Sequence, residues 1–235
     1  MILSVIIPAY NEKNTLMALL NKVEAVPIEK EIIIIDDGSV DGTKQILKEL
    51  SYKNIRAFFH ERNQGKGEAI RTGLKAATGD IVIIQDADLE YEPMDYLKLI
   101  PLIHSGRAQV VYGSRIRGSK DRSYHRYYWG GRFVTFVANI LYRIKITDEP
   151  TCYKMFRKEI IDKIKLDCKG FEFCPEITAK ISRLGYAIHE VPISYHPRSF
   201  EKGKKIKWKD GAIALWTLLK YRFLPIRKIL AASGN

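Results

Sequence analysis

Residues 31–39 read EIIIIDDGS: four successive isoleucines, then two aspartates, a glycine and a serine. A continuous β-branched run over Glu31–Ile35 marks a strand buried on both faces, as in a parallel sheet covered by helices. The abrupt change to Asp36-Asp37-Gly38-Ser39 puts a turn and two carboxylates at its carboxyl end, where open α/β sheets bind their ligands.

The pattern extends in both directions. Leu3–Ile7 has the same apolar character and runs into Pro8-Ala9-Tyr10-Asn11-Glu12. Asn14–Val26 and Asp41–Leu50 have helical spacing, the second with Asp41 as its cap. Ile55–Phe59 reads as a third strand and Lys66–Ala77 as a helix closed by Gly79. Asp80–Gln85 reads as a fourth strand entering Asp86-Ala87-Asp88. Pro93–His104 has proline at a helix start, and Gln109–Tyr112 is a fifth strand entering Gly113-Ser114-Arg115. This alternation implies a right-handed, parallel α/β sheet. Four strand ends then present acidic, polar or glycine residues to one rim.

The second half is less regular. Ser123–Ile144, Phe173–Leu184 and Trp208–Phe223 read as helices, and Cys152–Arg157 and Ala187–Tyr195 as strands. The last helix carries Trp208, Ala212, Leu215, Leu219 and Phe223 on one stripe. Its neighbours Lys205, Lys207, Lys209, Lys220 and Arg222 make it a basic amphipathic helix, which suits packing on the core or lying on an anionic membrane surface.

Asp86-Ala87-Asp88 carries the sharpest chemistry. Two carboxylates leaving a strand end can share a hard divalent cation, which prefers oxygen ligands and completes its shell with substrate phosphates. Glu90 is either a third ligand or a first-turn helix charge. A dinucleotide-binding fold would place G-x-G-x-x-G after the first strand; PAYNE stands there without a glycine, and no GxxxxGK[ST] occurs. Gly65 and Gly67 either form a plain turn or let a helix N-terminus approach phosphate, with Lys66 beside it.

The chain has 235 residues and a formal charge of +12, with 46% hydrophobic residues. Arg115–Arg132 holds six Lys/Arg against one acid, and Lys202 to the end holds nine against one. Concentrated positive charge points to phosphates, an anionic membrane face or nucleic acid. A nucleic-acid module would leave the aspartate-lined rim without a role, so no nucleic-acid partner is expected. Cys152, Cys168 and Cys174 form no CxxC, which suits a reducing, cytoplasmic compartment. The five histidines lack metal spacing and read as structural. The start MILSVIIPAY reads as a strand rather than a leader. Uncharged stretches such as Phe133–Tyr142 fall well short of the ~20 residues of a membrane span.

Together, VIIPAYNE, IIIIDDGSVDGT, NQGKGEAIRTGLKAATGD, DADLE and GSR resemble the family 2 inverting glycosyltransferases of GT-A fold, over about residues 2–118. TDEPTCYKMFRKE, GYAIHEVPISYHPRS and the lysines that follow are similar to the dolichyl- and polyprenyl-phosphate sugar transferase branch, to about residue 207.

The resemblance implies a GT-A catalytic domain over residues 1–200, with a mostly parallel Rossmann-like sheet, and a basic amphipathic segment over 201–235. Pro8, Tyr10 and Glu12 would line the base and ribose site of a nucleotide-sugar donor, with Ile35 and Asp37 continuing it and Lys66 nearby. Asp86, Ala87 and Asp88 would meet the diphosphate through Mg²⁺ or Mn²⁺, with Glu90 as a candidate third ligand. Arg115, Arg132 and Arg198 would bind phosphate, as would one lysine among Lys202, Lys204, Lys205 and Lys207, of which Lys205 is taken here.

The chain departs from the branch's mannosyltransferases in two places. It reads DADLEYEP where they read DADLSHHP, and DEPTCYK where they read DLTGSFR. The donor therefore stays open between GDP-mannose and UDP-glucose types. The expected acceptor is a polyprenyl phosphate, met at the cytoplasmic membrane face directly or through a separate membrane-anchoring partner. The alternative is a saccharide or protein hydroxyl, which needs a base; Asp148 is the candidate, its bland reading being a loop residue.

Overall fold

The computed structural model describes residues 1–119, 125–198 and 208–231. Lys202, Lys204, Lys205 and Lys207 lie outside the described residues, as does the side chain of Trp208.

Seven strands form one sheet: β1 (Leu3–Ala9), β2 (Lys30–Asp36), β3 (Ile55–Phe59), β4 (Ile81–Ile84), β5 (Val110–Ser114), β6 (Lys154–Arg157) and β7 (Ile188–Pro192). Their order is β3-β2-β1-β4-β6-β5-β7. The isoleucine run does what its composition requires: Ile32 to Ile35 are wholly buried, as are Val5 to Ile7 beside them. The chain winds outward from β1 to β3 and returns to β4 on the other side of β1. The crevice between the carboxyl ends of β1 and β4 is therefore a topological switch point, and PAYNE and DAD stand at its two lips.

The helices α1 (Leu16–Glu24), α2 (Thr43–Glu49), α3 (Lys66–Ala76) and α4 (Tyr96–His104) connect these strands. α2 begins two residues later than expected: Asp41 Oδ1 accepts the Thr43 N–H at 3.0 Å, with Gly42 at the cap. A 3₁₀ turn over Pro93–Asp95 precedes α4.

The sheet is mostly parallel, as expected; β6 is its antiparallel member, pairing with both β4 and β5. After α5 (Arg115–Gly118) and the long α6 (His125–Tyr142), the chain re-enters at the rim through residues 147–151 and can only run back down the sheet. That reversal puts the 147–151 loop beside Asp86 and Asp88.

Beyond the short α7 (Lys158–Ile161), a second core cluster joins α6, α8 (Phe173–Arg183) and α9 (Trp208–Phe223) through Val134, Ala138, Tyr142, Ala179, Leu218 and Tyr221. Tyr142 Oη donates to the Leu218 carbonyl, and Arg183 donates to the Tyr221 carbonyl at 2.7 Å. The fully buried Lys180 pairs with Glu176 and Asp167 and sits 4.2 Å over the Tyr221 ring.

The packed side of α9 therefore centres on Thr217, Leu218 and Tyr221; of the apolar stripe, Leu215 packs against this cluster while Leu219 and Phe223 are exposed. Apolar residues surround this helix, so periodicity alone offered more than one face, and the partners α6 and α8 selected among them. Leu218, fully buried here, tests how firmly α9 is bound in. Leu218→Ala is expected to cost about 2–5 kcal/mol in urea unfolding, with one transition; separate melting of a C-terminal unit at unchanged core stability would contradict this packing.

Candidate active site

One cleft of about 980 Å³ runs along the carboxyl rim of the sheet. Pro8, Tyr10, Glu12 and Asp37 line one end, Asp86, Ala87 and Asp88 its floor, and Arg115, Arg132, Asp148 and Arg198 its far wall.

The floor is built from β4. Gln85, wholly buried, donates to the Asp86 carbonyl at 2.8 Å and accepts from Tyr96 Oη at 2.5 Å and Tyr153 Oη at 2.7 Å. Two tyrosines thus fix the residue that fixes the first aspartate. Leu89 follows Asp88 at φ 62°, a left-handed conformation that costs a bulky side chain energy and needs surrounding structure to hold it.

Asp86 pairs with Lys66 Nζ at 2.5 Å, and Asp88 with Arg198 at 3.1 Å. Burial, then the charges of Asp86 and Glu90, push the Asp88 carboxyl up to about 7 against the pull of Arg198. Burial opposes the charge on Lys66, but Asp86 holds its pKa above the usual value.

The donor set fits a hard divalent cation: two crowded, partly buried carboxylate oxygens whose repulsion a metal would relieve, with room for phosphate oxygens and water. Among the described residues no group of three or more acid, His or Cys side chains is arranged to hold an ion. Glu90 explains part of this. Its N–H donates to Asp88 at 3.1 Å, but its carboxylate accepts from Tyr195 Oη at 2.9 Å and the Arg198 N–H at 3.0 Å. Glu90 fastens the segment carrying Arg198 and would reach a metal only by releasing one of those bonds.

At the Tyr10 end of the cleft, both oxygens of Asp37 are engaged, by His60 Nδ1 at 2.7 Å, the Gln64 N–H at 2.9 Å and the Gly65 N–H at 2.8 Å. Asp37 thus shapes the wall formed by residues 60–65. Ile35, expected to continue the donor site, is wholly buried; a Cβ on Gly73 would come within 2.7 Å of its Cδ1, so it packs beneath α3.

Gly65 and Gly67 also serve a different end from phosphate approach. Gly65 has φ 98°, and a Cβ there would lie 2.3 Å from the Lys169 carbonyl oxygen, which accepts the Glu68 N–H at 3.2 Å. These glycines let the start of α3 press against residues 168–170, which aims Lys66 at Asp86.

On the far wall, Asp148 takes three hydrogen bonds from Arg115: the backbone N–H at 2.9 Å, Nε at 2.8 Å and a terminal nitrogen at 2.7 Å. The guanidinium lies against the rings of Tyr91 and Tyr195, at 6.0 and 5.1 Å, which themselves pack edge-on. Burial opposes its charge, but Asp148 holds its pKa above the usual value. Glu190 on β7 accepts the N–H groups of Thr147 and Asp148 at 2.8 and 3.1 Å, fixing the loop. Arg132 on α6 donates to the Thr147 carbonyl at 3.1 Å. The chain thus brings Arg115, Arg132 and Arg198 to one cleft from well-separated positions.

Residues 4–165 match the family model described as Glycosyl transferase family 2. The chain belongs to this family. It is 31% identical to the dolichol-phosphate mannosyltransferase of Pyrococcus furiosus, across 98% of this chain and 70% of that protein. It is 33% identical to the UDP-N-acetylglucosamine–dolichyl-phosphate N-acetylglucosaminyltransferase of Methanococcus voltae, across 86% of this chain and 89% of that one. An undecaprenyl-phosphate 4-deoxy-4-formamido-L-arabinose transferase of Pseudomonas fluorescens is 29% identical, and the chain spans 62% of it. The fold is similar to that of glucosyl-3-phosphoglycerate synthase from Mycobacterium tuberculosis, solved with Mn²⁺, UDP and phosphoglyceric acid, with a TM-score of 0.70 at 21% identity over 95% of this chain and 79% of that one.

Sequence reasoning missed several residues that hold this transferase's site together. Gln85 carried one signal, a polar residue closing an apolar strand. His60 was read as structural, and its bond to Asp37 places it behind the cleft wall. Glu190 and Tyr195 carried no signal, because their partners are 42 and 105 positions away.

The raised Asp88 pKa has a consequence for stability. The folded protein holds this proton up to about pH 7, whereas an unfolded aspartate releases it near ~3.9. Stability is therefore lost as pH rises through that window. Asp88→Asn should raise the melting temperature at pH 8 in EDTA, with the gain shrinking as pH falls from 7 towards 4. A gain independent of pH in thermal melts would contradict the burial of this charge.

Proposed function

We propose that this transferase moves a hexose, with inversion, from a nucleotide-diphosphate sugar of the GDP-mannose or UDP-glucose type to a polyprenyl or dolichyl phosphate. One observation carries the reading: two strand-end aspartates and the three arginines Arg115, Arg132 and Arg198 share one cleft. Such a site suits two phosphate-bearing substrates at once. The names of the relatives from P. furiosus, P. fluorescens and M. voltae, each a transferase named with dolichol, dolichyl or undecaprenyl phosphate, support it.

Pro8, Tyr10, Glu12 and the wall shaped by Asp37 receive the nucleoside. Mg²⁺ or Mn²⁺ held by Asp86 and Asp88 would neutralise the departing nucleoside diphosphate. Lys66 and Arg198 flank that diphosphate with positive charge. Arg132 draws in the acceptor phosphate, aided by a lysine beyond Arg198 such as Lys205, and Arg115 backs the wall beside it. A lipid monophosphate is largely dianionic near pH 7, its second pKa being about 6. It attacks without a protein base once aligned behind the anomeric carbon. Asp148, with three hydrogen bonds from Arg115, acts as a positioning residue in this reading, whereas a hydroxyl acceptor would require it as the base.

The acceptor's insolubility brings the enzyme to a bilayer. No helix among the described residues is long and apolar enough to cross one. α6 exposes Trp129, Phe133, Phe136 and Ile140 at spacings of four, three and four, and α9 exposes Ile213, Trp216, Leu219 and Phe223. Lys209, Lys220, Arg222, Arg227 and Lys228 are exposed around them. Aromatic and aliphatic stripes ringed by basic residues suit the interface of an anionic membrane, here a cytoplasmic face.

Incubation with a panel of nucleotide sugars, Mn²⁺ or Mg²⁺ and a polyprenyl phosphate should yield lipid-linked sugar from one donor. EDTA or Asp88→Ala should abolish it while the fold persists. Asp148→Asn should raise KM for the lipid about tenfold and leave the shape of the pH profile intact. A kcat loss on the order of 10²–10⁴ with a lost acid limb, and product on saccharide or protein instead, would establish the hydroxyl-acceptor reading.

Flotation with vesicles rich in anionic lipid should recover the protein at low salt and lose it at high salt, with Trp216→Glu and Phe136→Glu weakening recovery. Absence of binding at low salt would mean that a separate membrane-anchoring partner brings it to its lipid.

A further inference from the structure

The loop that enters α8 gives all its backbone donors to two carboxylates. Glu176 accepts the N–H groups of Asp167 at 2.8 Å and Cys168 at 2.7 Å. Glu172 accepts those of Lys169 at 2.8 Å and Gly170 at 3.1 Å. The two glutamates lie four positions apart at the start of α8, so they face the loop from one side of the helix. Hydrogen bonds to an ionised acceptor are stronger than neutral ones, and four in succession leave residues 167–170 little freedom. Glu176 is wholly buried and paired with Lys180, which also reaches Asp167 at 3.2 Å.

The opposite side of this loop meets the start of α3. The Lys169 carbonyl accepts the Glu68 N–H at 3.2 Å. A Cβ on Gly67 would come within 2.9 Å of the Gly170 carbonyl oxygen, so no slack separates the two segments. The Phe171 ring stands 5.8 Å from Lys66 Nζ, which reaches Asp86 at 2.5 Å. A lysine is a point charge on a flexible four-carbon stem, so its reach is set by how firmly its own backbone is placed. Neither glutamate is among the described residues that line the cleft. We propose that Glu172 and Glu176 are positioning residues: by clamping residues 167–170 against the start of α3, they fix where the Lys66 ammonium meets Asp86 and the donor diphosphate. The proposal rests on the reading of Lys66 as one flank of that diphosphate and adds what holds it there.

Titration calorimetry of the full chain with UDP and GDP in Mn²⁺ tests this. Lys66→Ala sets the reference and should weaken whichever nucleotide the parent binds. Glu172→Ala should weaken the same nucleotide about tenfold, because a misplacement of about 1 Å at a positioned group can cost on the order of 100-fold. Glu172→Gln, whose amide oxygen can still accept both N–H groups, should bind as the parent does. In the Lys66→Ala background, Glu172→Ala should add no further loss, since both act through one ammonium. A general loss of structure would instead add to it. In turnover, Glu172→Ala should raise KM for the nucleotide sugar and leave KM for the acceptor unchanged. Glu176→Gln should weaken binding in the same way but also lower the melting temperature, because Lys180 loses its buried partner; it is titrated well below its own melt. Unchanged affinity in Glu172→Ala, no rescue by glutamine, or additive losses in the double variant would overturn the clamp. A parent that binds neither nucleotide, or a Lys66→Ala variant that binds as the parent does, would defeat the reading of the diphosphate site itself, and the clamp with it.

Discussion

The structure turns on two aspartates held two residues apart at the mouth of a buried sheet. Asp86 and Asp88 leave β4 with little solvent around them, and their charges repel. Everything nearby limits that repulsion. Lys66 is delivered to Asp86 by a helix whose opening glycines let it press against residues 168–170. Arg198 is delivered to Asp88 by a segment that Glu90 fastens from the far end of the chain. Gln85, pinned by two tyrosines, keeps the first carboxylate from drifting. A site that concentrates negative charge and then partly offsets it has the donor chemistry that a hard cation and its accompanying phosphates would fit.

The antiparallel strand β6 supplies the other wall. Because it enters at the rim and runs down, the loop before it lies over the crevice. Glu190 on the edge strand holds that loop by two of its backbone N–H groups, and Asp148 then grips Arg115 through three hydrogen bonds. An arginine so held against two tyrosine rings has little freedom to follow a ligand. Arg132, which donates to the Thr147 carbonyl, is less tightly held, whereas Arg198 spans Glu12 and Asp88.

The helices α6, α8 and α9 form a second core whose outer faces stay apolar. The same two helices that bury Val134, Ala138 and Leu218 against each other expose Trp129, Phe136 and Trp216 outward and leave glycines at the cleft. One helix pair thus separates a buried packing face from an exposed apolar one.

The sequence by itself determined the sheet, the rim and the position of the paired carboxylates. Those depend on short-range patterns: an isoleucine run is buried wherever it folds, and DAD closes its strand whatever lies opposite. It also held enough motif spacing to reveal the family. The tertiary structure decided the rest. Whether Asp37 faces a ligand or braces a loop depends on His60 and residues 64–65 meeting it. Whether Ile35 lines the site or lies under α3 depends on how closely Gly73 lets that helix approach. Which face of α9 is buried depends on α6 and α8, because a helix that is apolar on several sides carries no preference of its own. Periodicity records what a residue's neighbours in the chain require, and it is silent on which of several apolar or charged faces a distant element will claim.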